Sequence, residues 1–80
     1  MPVRRVEIGP VGEIVRTNIR SNRLARMMTQ TELAAKANLP AQAITEIENG
    51  ARRVNVDDLV NISKAMNIEP QYMLVPGVPA

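Results

Sequence analysis

Thr29-Gln30-Thr31-Glu32-Leu33-Ala34-Ala35-Lys36-Ala37-Asn38-Leu39-Pro40-Ala41-Gln42-Ala43-Ile44-Thr45-Glu46-Ile47-Glu48-Asn49-Gly50 is the stretch that decides how this 80-residue chain folds. Thr29 with Glu32 three residues on is a capping box. The hydroxyl takes the N3 amide and the carboxylate reaches back to the cap amide. The helix it opens runs from Gln30 to Ala37, with Leu33, Ala34 and Ala37 on its buried edge. Alanines at 34, 35 and 37 let a second helix approach closely. Asn38 suits the left-handed conformation of a tight exit. Leu39 returns to the core, and Pro40 fits the opening of a second helix. That helix spans Ala41 to Asn49 with Ile44 and Ile47 inward, and Gly50 stops it.

The flanks extend the pattern. A helix starting after Gly12 and running to about Arg26 places Ile14, Val15, Asn18, Ile19, Asn22 and Ala25 on one stripe, with the arginines mostly opposite. Asn55 caps a fourth helix whose first turn holds Asp57 and Asp58, favourable at the positive end of the dipole. Val56, Leu59, Val60, Ile62, Ala65 and Met66 form its apolar face. Asn67 is a second left-handed exit, Ile68 returns to the core, and Glu69-Pro70 opens a last short helix, Gln71 to Leu74. The methionines at 27, 28, 66 and 73 read as core filler, since the chain has no Phe or Trp. Residues 1–11 form an arm or one short strand, 12–75 the domain, and 76–80 a frayed tail.

Composition excludes much. With no Cys and no His there is no thiolate or imidazole metal site, no disulfide and no histidine catalysis. Ser21 and Ser63 are the only serines, and neither has a partner base. No apolar run approaches the roughly 18 residues of a membrane span, and no secretory leader is visible. The expectation is a cytoplasmic binding module without cofactor or metal. Net charge is only +2, yet residues 1–26 carry six arginines against two glutamates. That asymmetry points either to a polyanion partner or to a solvated helix face.

Two short helices joined by a three-residue turn, with alanines at the crossing, make a helix-turn-helix. Ile19 to Leu74 resembles the lambdoid repressor/Cro-type, or xenobiotic-response-element, family. Arg23, the T-Q-x-E-L-A run at 29–34, Ile44, the I-E-N-G run at 47–50 and L-V-N-I-S-K-A-M-N-I at 59–68 carry the resemblance. Met27, Asn38 and Asn67 stand where the family has Gly, Pro40 where it has a Ser/Thr cap, and Asn22 where a Leu is common. The resemblance implies an all-α, compact five-helix, lambda-repressor-like domain with a short extended N-terminal arm. It implies a prokaryotic or phage regulator, not an enzyme. A homodimer would bind an inverted-repeat operator in double-stranded DNA. The alternative is an antitoxin-like interaction module whose main partner is another protein.

By the same resemblance, helix 41–49 enters the major groove. Ala41, Gln42, Ala43 and Glu46 lie on its exposed face, either solvated or reading bases. Gln pairs with adenine, Glu accepts from cytosine N4, and an alanine can touch a thymine methyl. Gln30, Asn49, Arg52 and Arg53 would meet phosphate, and Thr45 would meet phosphate or nothing. Arg23 and Glu48 would form a structural ion pair between helix 1 and the end of helix 3. The consecutive residues Tyr72, Met73, Leu74 and Val75 are more apolar surface than one short helix can hide, so they are the expected dimer interface, with the arm residues Val3, Val6 and Ile8 as an accessory.

Overall fold

The computed structural model describes residues 7–77. Every regular element among the described residues is a helix: α1 Gly9–Ala25, α2 Gln30–Lys36, α3 Ala43–Glu48, α4 Val56–Ala65, and a 3-10 helix Pro70–Leu74. Both caps form as the sequence indicates. Thr29 Oγ1 accepts from the Glu32 amide at 3.0 Å, and Glu32 Oε1 accepts from the Thr29 amide at 2.8 Å. Asn55 Oδ1 accepts from the Asp58 amide at 2.7 Å.

The four α-helices end alike. Met27, Asn38, Gly50 and Asn67 take φ values of 56°, 60°, 75° and 60°. The amide after each reaches back to the carbonyl five residues earlier: Met28 to Arg23, Leu39 to Ala34, Ala51 to Glu46 and Ile68 to Ser63, at 2.8 to 3.1 Å. This is the Schellman closure, which satisfies carbonyls a helix end would strand. It also turns Met28, Leu39 and Ile68 inward against the core. That core is Val15, Ile19, Leu33, Ala34, Ala37, Ile44, Ile47, Ile62, Met66 and Met73.

Several expectations need correction. The last segment is a 3-10 helix, not a fifth α-helix. Helix α1 begins at Gly9, three residues before Gly12. Pro10 does not break it, because a first-turn residue has no amide partner to lose. Residues 9–11 of the expected arm are therefore helical, while residues 1–6, with Val3 and Val6, lie outside the described residues. Helix α3 is shorter than 41–49. Its lead-in is a turn closed by the Ala43 amide on the Pro40 carbonyl at 2.9 Å, and regular helix starts only at Ala43. Met27 is 91% exposed and fills no core, since the left-handed exit directs its side chain outward. Val56 and Ala25 are also exposed, at the ends of their stripes.

The two asparagines on the α1 stripe have a structural reason. Asn18 Nδ2 donates to the carbonyls of Met73 at 2.9 Å and Val75 at 2.8 Å, tying the 3-10 helix to α1. Asn22 is fully buried, donates to the Asn18 carbonyl and accepts from Arg26 Nη1. Among the described residues no buried side-chain nitrogen or oxygen lacks a partner, as burial of polar groups demands.

Candidate nucleic-acid interface

Helix α3 is six residues long, too short to hold its shape by its own hydrogen bonds. Side chains from α1 and α2 fix it. Arg23 Nε and Nη2 donate to the two carboxylate oxygens of Glu48 at 2.7 and 2.9 Å. The side chains of this pair are 9% and 3% exposed. The hydrogen bond to Glu48 carries the Arg23 guanidinium above its ordinary, already high, pKa. Arg23 Nη1 also donates to the Met28 carbonyl at 2.9 Å. Arg16 Nη1 donates to the Glu48 backbone carbonyl at 3.0 Å, where the negative end of the α3 dipole lies. Arg16 itself is braced by Glu13.

A second set of bonds joins α2 to α3. Gln30 Nε2 donates to Glu48 Oε1 at 3.0 Å, and Thr45 Oγ1 donates to Gln30 Oε1 at 2.6 Å. Gln30 and Thr45, both expected at phosphate, are thus joined to each other and to the ion pair. Gln30 keeps its backbone N–H, and the amide hydrogen not given to Glu48, for a phosphate.

Outward of this frame, Ala41, Gln42 and Asn49 are exposed, and Thr45 and Glu46 half-exposed. Ala43 is 0% exposed, one turn from buried Ile47 on the inner face, so the expectation that it touches a base is overturned. Glu46 Oε1 pairs with Arg52 Nε at 3.2 Å, both side chains about 40% exposed. Arg53 is exposed and makes no ion pair among the described residues. The outer face of α3 is thus a row of mixed polar groups with one carboxylate braced by one guanidinium.

At the C-terminal end, Tyr72, Leu74 and Val75 are exposed, but Met73 is 0% exposed and packs inside the monomer. Met73 is therefore no part of a dimer interface; Asn18 pulls its carbonyl onto α1 and its side chain follows into the core. Leu74 instead lines an open groove of about 280 Å³ with Ile8, Val11, Val54, Val56 and Leu59.

Sequence reasoning missed Asn18, Arg16 and Arg26. The asparagine signalled itself only as a polar residue on an apolar stripe. Arg26 Nε caps α4 by donating to the Met66 carbonyl at 2.8 Å. Arg16, Arg23 and Arg26, three of the six arginines among residues 1–26, therefore hold the fold together, while Arg20 is exposed and Arg4 and Arg5 lie outside the described residues. Among the described residues no helix is long and apolar enough to cross a membrane, and no cluster of three or more His, Cys, Asp or Glu is placed to hold a metal.

Comparison with known proteins matches residues 19–73 to the family described as helix-turn-helix. Control protein C.BamHI of Bacillus amyloliquefaciens is 37% identical over 57 residues, 70% of each chain. The restriction-modification controller protein C.AhdI from Aeromonas hydrophila superposes with a TM-score of 0.71 at 26% identity, covering 78% of this chain and 92% of that one. A mutant of the controller C.Esp1396I, solved bound to its highest affinity operator site, superposes at 0.73 with 30% identity, covering 79% of this chain and 83% of that one.

Proposed function

This chain belongs to the Cro/C1-type helix-turn-helix family, and from that membership we propose a sequence-specific DNA-binding transcriptional regulator of the restriction-modification controller kind. It acts as a homodimer on an inverted-repeat operator in double-stranded DNA. The observation that carries this reading is the exposed polar face of α3 on a scaffold that fixes its orientation. Affinity to solved controllers, one of them on its operator, supports it. The work is binding, not catalysis, and takes place in the cytoplasm, where such a regulator meets its DNA. The domain that does it spans 12–75 in this reading, extended at its N-terminus by the first turn of α1.

Gln42, the N-cap of α3, and Glu46, one turn on, read base edges, with Ala41 close enough for a thymine methyl. Arg53 and Asn49 meet phosphates. Arg52 has a second task beside phosphate, since it braces Glu46. The second copy covers the groove around Leu74, Val11 and Val56, together with Tyr72 and Val75, the chain neighbours of the Met73-Leu74 pair; these are exposed apolar residues that a lone monomer leaves in water.

Titration of cognate and scrambled duplexes at several salt concentrations tests the reading. Gln42→Ala should cost about 1–3 kcal/mol on the cognate site and relax preference at one base pair per half-site. Arg53→Ala should weaken all sequences alike and flatten the salt dependence by roughly one counterion per half-site. If the two variants behave identically, α3 is not the reading element. Glu46→Ala discriminates further: specificity falls if the carboxylate reads a cytosine, and binding tightens everywhere if it only repels phosphate.

A further inference from the structure

The chain of hydrogen bonds from α1 to α3 has a direction. Glu48 accepts both arms of the Arg23 guanidinium at 2.7 and 2.9 Å. A carboxylate so engaged is acceptor-only. The group of Gln30 that faces it at 3.0 Å must therefore be the amide NH2. An Asn or Gln amide is assigned from such a network, and here only one orientation works. The Gln30 carbonyl oxygen then faces Thr45, and a carbonyl cannot donate. Thr45 must give it the hydroxyl proton, at 2.6 Å. A threonine hydroxyl has one proton and two lone pairs. With the proton turned inward, Thr45 offers its surroundings lone pairs alone.

A phosphate oxygen is also an acceptor, so Thr45 in this state has nothing to give it. We infer that Thr45 is a base-reading residue that accepts from an exocyclic amino group in the major groove, adenine N6 or cytosine N4, and that Gln30 is the positioning residue that sets this polarity. The expectation of a phosphate contact at Thr45 is replaced. The inference rests on the proposal that α3 reads DNA. It adds which chemistry Thr45 selects: bases with an amino group in the major groove, against guanine O6 and thymine O4, which are acceptors.

The test uses the full chain and duplexes selected by it from a random pool, with each base pair of the preferred half-site then substituted in turn. Thr45→Val keeps the shape and removes the hydroxyl. Its expected effect is a loss of about two- to tenfold in discrimination at one base pair, the scale of one neutral hydrogen bond, with the salt slope unchanged. Purine in place of adenine, or 2-pyrimidinone in place of cytosine, removes the amino group from the DNA side. Wild type should lose the same factor on that duplex, and Thr45→Val should lose nothing more. Gln30→Met releases the hydroxyl proton, so preference at the same pair should broaden to guanine or thymine. The inference is overturned if Thr45→Val weakens all duplexes equally and lowers the salt slope, which marks a phosphate contact. It is equally overturned if wild type ignores removal of every amino group, or if Gln30→Met leaves the preference intact. Selection that enriches no sequence at all would instead overturn the function itself, so the two failures are told apart.

Discussion

Breaking the Arg23–Glu48 pair is the most demanding test of the frame that holds α3. Both side chains are almost wholly shielded, and the carboxylate also holds Gln30. Replacing Glu48 by Ala leaves a guanidinium in the core interface with only the Met28 carbonyl for company. Replacing Arg23 by Ala leaves a buried carboxylate with only Gln30 to solvate it. Stranding one charge of a buried pair costs about 3–5 kcal/mol, against under about 1 kcal/mol for an exposed pair. A domain of this length has a total stability of roughly 4–12 kcal/mol, so either single variant should sit near the edge of unfolding. At about 4–8 °C per kcal/mol, the lower bound alone predicts a melting temperature lower by about 12–24 °C. Urea unfolding of wild type, both singles and the double gives the coupling energy directly. The double variant should lose clearly less than the sum, because it strands no charge. High salt should barely change the result, since buried pairs are weakly screened. Strict additivity of the two losses would refute the reasoning.

Three further expectations are simpler. Met27→Gly should stabilise the fold by up to about 1 kcal/mol, because Met27 holds a left-handed conformation costly for any residue with a Cβ, and its side chain, in water, has no packing to lose; thermal melts check it. The Thr29 amide and hydroxyl hold the Glu32 carboxyl below its usual range, so its contribution is full above the unfolded pKa and fades as pH falls through the lower folded one. Glu32→Gln should thus flatten the acid limb of the stability curve without changing the sign of anything at neutral pH. Leu74→Asp should give a monomer in sedimentation while circular dichroism stays native, and an unchanged dimer would move the interface off the groove.

Where local chemistry decides, the sequence was readable. The capping box at 29–32 and the Asn55 cap are satisfied within one turn, so residue type and spacing suffice. Asn38, Gly50 and Asn67 marked their exits because few residues tolerate that backbone. Met27 was harder: it occupies the same geometry by tertiary demand, since Met28 must turn inward, and no local preference announces it. The opening of α3 misled for the opposite reason. Pro40 permits a helix start, but the 40–43 segment closes an i+3 turn first. The 72–75 run hid its division too. Four consecutive apolar residues carry no period, and only the distant Asn18 amide determines that Met73 goes in while Leu74 stays out.

The candidate site divides along the same line. That α3 has an outer face with Gln42 and Glu46 follows from its period, and their exposure follows with it. What Thr45 on that helix can offer a ligand depends on Gln30, 15 residues away, and through it on Glu48, 18 residues from Gln30. The same holds for charge. Counting arginines from 1 to 26 suggests a basic surface, yet Arg16 and Arg23 hold Glu48 at the end of α3, and Arg26 holds Met66 at the end of α4. With three cations committed to structural contacts and a net charge of only +2, the domain has modest non-specific attraction for a polyanion. Phosphate contact supplies most non-specific affinity and carries no sequence information, so selectivity must come from base edges and from two-fold symmetry. A short helix can deliver that only if its side chains arrive in fixed orientations. The arginines withdrawn from the DNA surface are what fix it: one on the α3 terminal carbonyl, and one on the carboxylate from which the Gln30–Thr45 polarity begins.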